Sequence, residues 1–226
     1  MSLLTPMLRT SPLTDWFSDV QRVQGMLDFE AALVRAEVEC GLVPQTALNP
    51  IIESCRHEKI DFSALGQAAA SAGNLAIPLV KQLTARVKER NEAAARYVHW
   101  GATSQDAIDT GFILQLRGAL AETESLLQRL LDALARQAER HQDTVMPGRT
   151  WMQHALPVTF GLKLAGTLDA LLRWQVRLRE MRARVLALQF GGAAGTLDSL
   201  KTQAPPIAAA LAKALDLQLP DAPWHS

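Results

Sequence analysis

Phe112-Ile113-Leu114-Gln115-Leu116-Arg117-Gly118-Ala119-Leu120 opens the seam that decides the fold. From Phe112, apolar or small residues recur at Leu116, Leu120, Thr123, Leu127, Leu130 and Leu134, by fours and threes. That period is one face of a helix, and Ile113, Leu126 and Leu131 widen it. The helix is expected to start near Ser104 or Asp106 and to run to about Arg140, roughly 50 Å at the helical rise. A turn at Asp143–Thr150 carries Pro147 and Gly148, and a second long helix is expected from about Met152 to Leu188. Pro157 is tolerable near its first turn. Residues 158–172 are apolar on almost every side except Lys163 and Asp169. A helix apolar all round must be buried all round. Two antiparallel helices cannot bury it alone, so partner subunits are expected, the alternative being a monomer with more helices packed on it.

Outward from the seam the pattern stays helical, rich in Leu, Ala, Arg, Gln and Glu, with no alternating β-branched run that predicts a strand. A first helix is expected from Asp19 to Cys40, ended by Gly41 with Pro44 beyond. Shorter helices follow near Pro50–His57, Phe62–Ala72 and Ile77–Arg90, with Asp61 and Ser63 as N-cap candidates for Phe62–Ala72. Gly191-Gly192-Ala193-Ala194-Gly195 breaks the pattern before a weaker helix at Pro206–Leu215. The predicted class is all-α, a small N-terminal helical domain over 1–100 and a long-helix bundle over 101–226, with a break near Gly101.

A length of 226 residues allows one or two domains with ample core. Lys plus Arg and Asp plus Glu number 23 each, so formal net charge is zero and no basic block dominates. Nucleic acid and anionic membranes are therefore not expected partners. Cys40 and Cys55 form neither a disulfide framework nor a ligand cluster, and read as free thiols of a reducing cytosol. Residues 1–12 lack a signal peptide's basic start, and no apolar run is long enough to span a bilayer. A cytoplasmic protein without metal is expected.

Four segments carry chemistry. In His99-Trp100-Gly101-Ala102-Thr103-Ser104-Gln105-Asp106-Ala107-Ile108-Asp109-Thr110, small residues let the backbone approach a ligand. Thr103 and Ser104 set hydroxyls and free amides at a helix N-terminus, a ready carboxylate site. The competing reading is that Thr103, Ser104 and Asp106 only cap the helix. In Gly148–Pro157, Thr150 and Gln153 offer neutral hydrogen bonds and Arg149 can bind a carboxylate. His154 could face substrate or be structural, and Trp151 could be core or a pocket wall. Gln189–Thr196 is a glycine turn permitting close backbone approach or simply ending a helix. The fourth is Gly73-Asn74-Leu75-Ala76-Ile77-Pro78-Leu79-Val80.

These segments, in this order, resemble the fumarase/aspartase superfamily. The first is similar to the lyases' H-x-G-x-T-S-x-D-x-x-D-T, the second to G-[RY]-T-H-x-Q-x-A-x-P and the third to G-A-x-G-T. The fourth sits where adenylosuccinate lyases have a His-Asp-Val motif, with Asn74 in the histidine's approximate place. Within the superfamily, Thr150–Pro157 and Gly73–Val80 look most like bacterial 3-carboxy-cis,cis-muconate cycloisomerases. That resemblance implies a mostly helical fold in three domains, a homotetramer around a long-helix bundle, active sites shared among three subunits and no cofactor. The implied reaction is lactonisation of a small polycarboxylate diene to a carboxymuconolactone in protocatechuate breakdown. The implied substrate-binding residues are His99, Thr103, Ser104, Arg149, Thr150, Trp151, Gln153, His154 and Thr196.

Many superfamily members have a proton-donating or proton-orienting histidine where Trp151 stands. Hydroxide and amine leaving groups need a proton, so a positioned acid helps. In the reverse cycloisomerase reaction the leaving group is a carboxylate, which with a pKa near ~4 departs unassisted. An indole fits that step and can exclude water from the diene. The superfamily's third signature, G-S-S-x-M-P-x-K-x-N-P, is not in these residues. By resemblance it carries the catalytic base and lies past Ser226, so the chain is expected to be the incomplete N-terminal portion, inactive alone, and its base is not among these residues. His99 is open between substrate contact and structure, and His141 reads as a solvated helix-end residue. The alternatives are another superfamily lyase, of which the adenylosuccinate type is disfavoured by Asn74 and Trp151, a noncatalytic structural relative, or a helical interaction scaffold.

Overall fold

The computed structural model describes residues 11–225. Among these described residues are eight α-helices and one two-stranded sheet: α1 Leu13–Trp16, α2 Asp19–Glu39, α3 Gln45–Ile52, α4 Phe62–Ala72, α5 Ala76–Arg90, α6 Ser104–Arg140, β1 Val145–Thr150, β2 Gln153–Thr159, α7 Phe160–Val185 and α8 Ala204–Leu215. The chain is all-α in class, as the seam at Phe112 predicts, and α6 at 37 residues is about 55 Å long. Among the described residues no helix is long and apolar enough to cross a membrane.

Contacts group the chain into two compact units, residues 11–118 with 184–225, and Ala119–Ala183. This grouping cuts at other places than the break near Gly101, because α8 returns to pack on α2. The division into domains 1–100 and 101–226 stays a proposal about independently folding parts.

In the first unit, Ser18 caps α2 by accepting from the Gln21 amide at 3.3 Å. The inner face of α2 buries Val23, Met26, Leu27, Leu33 and Val34, and also Glu30 and Glu37. Ile51, Leu79, Leu83, Ile207 and Leu211 complete this core. Where α2 meets α6 the two backbones nearly touch. A Cβ on Gly25 would lie 2.6 Å from the Gly111 carbonyl oxygen, so neither helix tolerates a side chain there. Asp61 caps α4 through the Ala64 amide at 3.0 Å. α3 lies earlier than the helix expected at Pro50–His57. It starts after the extended Pro44, takes Pro50 into its body, and leaves His57–Lys59 as a 3₁₀ turn.

In the second unit, Leu131 is buried, and Arg182 and Gln175 of α7 bond Glu124 and Gln128 of α6 at 2.6 and 2.8 Å. Here the structure corrects the sequence reading. Residues 145–159 are neither a turn nor the start of a helix but an antiparallel hairpin, and α7 begins at Phe160. Pro147 and Pro157 are opposite each other in the ladder, where neither has an N–H to donate. Trp151 and Met152 form the two-residue turn with φ of 48° and 61°, the positive values of a type I′ hairpin. Between Pro147 and Arg149 the register shifts. Gly148 sits at that bulge, where a Cβ would lie 2.6 Å from the Leu156 carbonyl oxygen.

Candidate active site

The N-terminus of α6 is organised by Asp106, which is fully buried. Its carboxylate accepts from four N–H donors: Thr103 N at 3.0 Å and Gly192 N at 2.9 Å on Oδ2, Gly191 N at 2.9 Å and Gln189 Nε2 at 3.1 Å on Oδ1. A buried carboxylate needs such a set. The first and third sequence motifs are thus bolted together. Thr110 extends the joint, its hydroxyl donating to the Gln189 carbonyl at 2.8 Å and accepting from the Gln189 amide at 3.0 Å. The Gln189 Oε1 in turn accepts the amides of Trp224 and His225, each at 2.9 Å.

A cleft of about 630 Å³ opens over this joint, lined by Thr103, Gln105, Gln189, Gly192–Gly195, Pro223 and His225. Thr103 and the glycine turn therefore share one cavity. Ser104, the first residue of α6, is not on its wall. Thr196 lines a neighbouring cavity of about 310 Å³ against Phe190, Leu197 and Pro205. Gly101 has a role other than closeness to a ligand: its Cβ would collide with Leu200 at 2.5 Å. Asp106 does cap the helix, as the plainer reading of the motif has it, and it also holds Gly192, which lines the cleft.

His99 precedes this loop, and its Nδ1 lies 2.5 Å from Oε1 of Glu30 on α2. Glu30 is only 3% exposed. Burial works against the imidazolium, but the Glu30 charge, its hydrogen bond and the more distant Asp106 outweigh it and raise the His99 pKa. The backbone of His99 is left-handed at φ 60°, a conformation that costs a histidine about 1 kcal/mol. Glu37, one turn pair further along α2, is buried with neither carboxyl oxygen hydrogen-bonded, and burial followed by Glu30 pushes its pKa up to about 9.

The remaining candidate residues lie on the hairpin of the second unit. Arg149 pairs with His154 and Thr150 with Gln153. Directly paired residues share a face and successive residues alternate, so Arg149 and His154 are on one face, Thr150 and Gln153 on the other. All four are exposed, as is Trp151 at the tip, 92% accessible. Arg149 also borders a hollow of about 370 Å³ with Met146, Val158 and Lys163. Asn74 caps α5 by accepting from the Ile77 amide at 3.0 Å. His141 follows α6, with Nδ1 3.2 Å from the Thr144 hydroxyl and its ring edge-on to Phe160 at 5.1 Å. Both cysteines are free, and burial pushes the Cys55 thiol up.

Glu30 and His225 lie outside the four motifs, and Asp109 and Gln189, inside two of them, gain their roles only from the fold. Asp109 Oδ1 accepts from Gln105 at 2.7 Å, and its Oδ2 lies 3.0 Å from His225 Nδ1. Glu30 had one signal, a carboxylate in step with Val23, Leu27 and Leu33 on an apolar helix face.

The chain, with its long helices and its clamped glycine turn, belongs to the lyase family, whose pattern, described as Lyase, matches residues 8–225. Its fold is of the fumarase/aspartase type. Among curated relatives it is 60% identical over 216 residues to the 3-carboxy-cis,cis-muconate cycloisomerase of Pseudomonas aeruginosa, covering 96% of this chain and 47% of that protein. The enzyme of the same name from Pseudomonas putida is 53% identical over 218 residues, covering 96% of this chain and 52% of the relative. The crystal structure of 3-carboxy-cis,cis-muconate lactonizing enzyme from Pseudomonas putida superposes with a TM-score of 0.92 at 55% identity, over 94% of this chain and 48% of that one. The chain spans about half the length of the curated relatives it matches.

Proposed function

We propose that these residues are the N-terminal part of a cycloisomerase that reversibly lactonises 3-carboxy-cis,cis-muconate to a carboxymuconolactone, in cytoplasmic protocatechuate degradation. The observation that carries the reading is the 60% identity to a cycloisomerase over nearly the whole chain. Trp151 at the hairpin turn, where other superfamily members have a histidine, supports it. In the lactonising direction a substrate carboxylate oxygen adds to one alkene carbon, and the neighbouring carbon takes a proton. In reverse, a base removes that proton, the double bond reforms and the carboxylate departs as a stable anion. Neither direction asks the residue at position 151 for a proton. Thr103, Ser104, His99 and Thr196 are assigned to substrate carboxylates, as are Arg149, Thr150, Gln153 and His154 from the hairpin. The base is assigned to residues beyond these 226, and no cofactor takes part.

A homotetramer is part of this proposal. Trp151, Met152, Leu156 and Leu162 are 92, 103, 82 and 63% exposed in the single chain, and Trp174 and Val176 are exposed with them. Apolar groups so placed mark an interface rather than a solvent face. The deciding experiment follows the diene absorbance of 3-carboxy-cis,cis-muconate with the full-length gene product and with this chain alone. Loss is expected with the former and none with the latter. A full-length protein that leaves the diene intact while turning over another superfamily substrate would replace this reading.

A further inference from the structure

We propose that Glu30 is a positioning residue of the anion loop: it grips the His99 ring by Nδ1, so that Nε2–H is held out as a charged donor to a substrate carboxylate. The inference rests on the reading of residues 99–104 as a carboxylate site. Its geometric basis is the 2.5 Å contact between two side chains 69 residues apart in sequence, one from the buried face of α2 and one from the loop that leads into α6.

The surroundings of the pair give it direction. Glu30 is buried, and Glu37 on the same helix face and the Cys55 thiol both feel its charge without neutralising it. Among the described residues His99 is the one cation bonded to it. Asp106, on the other side of the loop, adds a second negative field at the ring. A carboxylate so enclosed favours the doubly protonated ring. Nδ1–H is then spent on Glu30. Nε2 has no hydrogen-bond partner among the described residues, and it is not among the sealed, unpartnered buried atoms. It is therefore not sealed from solvent, and under this proposal it is assigned to the substrate.

The protonation state decides what that atom offers. With Nδ1–H fixed on Glu30, a neutral ring presents a lone pair at Nε2, which repels a carboxylate. The charged ring presents N–H and a positive charge. Affinity for the anion at this subsite therefore falls as pH rises through the His99 pKa, which lies above the ordinary imidazole range. A buried histidine–glutamate pair that served the fold alone would show no such dependence in substrate binding.

The test has two arms. In the first, the chain is labelled with ¹⁵N-histidine and the His99 ring is titrated by two-bond ¹H–¹⁵N NMR. The wild-type midpoint is expected above the ordinary imidazole value, and Glu30→Gln, nearly the same in shape, is expected to lower it by a unit or more. In the second, KM for 3-carboxy-cis,cis-muconate is measured against pH on the full-length protein. The pH above which KM rises is expected to move down in Glu30→Gln by the same interval, with kcat changed less. A wild-type midpoint at or below the ordinary 6.5 overturns the proposal without need of any variant, as does a midpoint that Glu30→Gln leaves unmoved. A lowered midpoint with an unmoved KM profile overturns it too, by separating His99 from substrate. Absence of wild-type turnover on the muconate instead overturns the proposed function, and the NMR arm still judges the hold of Glu30 on His99.

Discussion

Replacing Glu37 by glutamine should change how stability depends on pH more than it changes stability itself. The carboxyl is wholly buried, both oxygens lack a partner, and burial with Glu30 nearby lifts its pKa from 4.5 to about 9. Because the folded value is above the unfolded one, the folded chain keeps a proton that the unfolded chain releases. Stability is then fullest below about pH 4.5 and is lost as pH rises towards 9. Between pH 5 and pH 8 the loss from this one group is about 4 kcal/mol, at roughly 1.4 kcal/mol per unit once the unfolded group is ionised. Glutamine abolishes the titration and leaves an unpaired amide, whose penalty of about 1–3 kcal/mol does not vary with pH. Urea unfolding of the two proteins, followed by far-UV circular dichroism at pH 5, 6, 7 and 8, gives the comparison. Other titrating groups cancel in the difference. The gap between Glu37→Gln and wild type should move in favour of the variant by about 4 kcal/mol over that range. Parallel curves would refute the reasoning, since they would mean that Glu37 holds the same proton folded and unfolded.

Asp106→Ala strips the acceptor from four N–H donors and should destabilise the first unit by about 3–5 kcal/mol, with loss of amide-exchange protection at Gly191 and Gly192. Protection unchanged at those two amides would show that the clamp is not what holds the turn. Gly148→Ala forces a methyl group towards the Leu156 carbonyl and should weaken the hairpin by about 1–3 kcal/mol, read as faster exchange at residues 145–159 with α4 and α5 untouched. Trp151→His in the full-length protein should keep the fold and change kcat/KM for the muconate by less than about tenfold, ~1.4 kcal/mol. Efficient turnover of adenylosuccinate or fumarate by wild type would contradict the role given to the indole.

How far the sequence could be read depended on how local the cause was. α4 has its cap at Asp61 and its stop at Gly73, both adjacent in sequence, and its bounds are as expected. α6 has a period that repeats over 37 residues, and its bounds too follow from the pattern. The hairpin is hard to read from sequence because residues 153–159 contain Gln, Ala and Leu, good helix formers, and what overrides them is pairing with residues 145–150 across the Trp151-Met152 turn. The same difficulty hides the split of Arg149 and His154 from Thr150 and Gln153. The site motifs were legible as motifs, yet their joining by Asp106, and the bond from Glu30 to His99, span 86 and 69 residues. No window of sequence contains both ends of either.

The four-fold clamp of Asp106 has a consequence for how this chain can vary. Two of its recognisable motifs are not two features but one, written in separate places, because the carboxylate at one place exists to receive the amides of the other. The donors at 191 and 192 are backbone N–H groups, which any residue but proline supplies, so the demand of the joint falls on position 106. Strong non-additivity is expected where a side chain supplies the donor, between Asp106 and Gln189, the second substitution costing far less than the first. Over generations such a joint is one-sided: the side chains of the turn can change while the carboxylate that receives its backbone cannot.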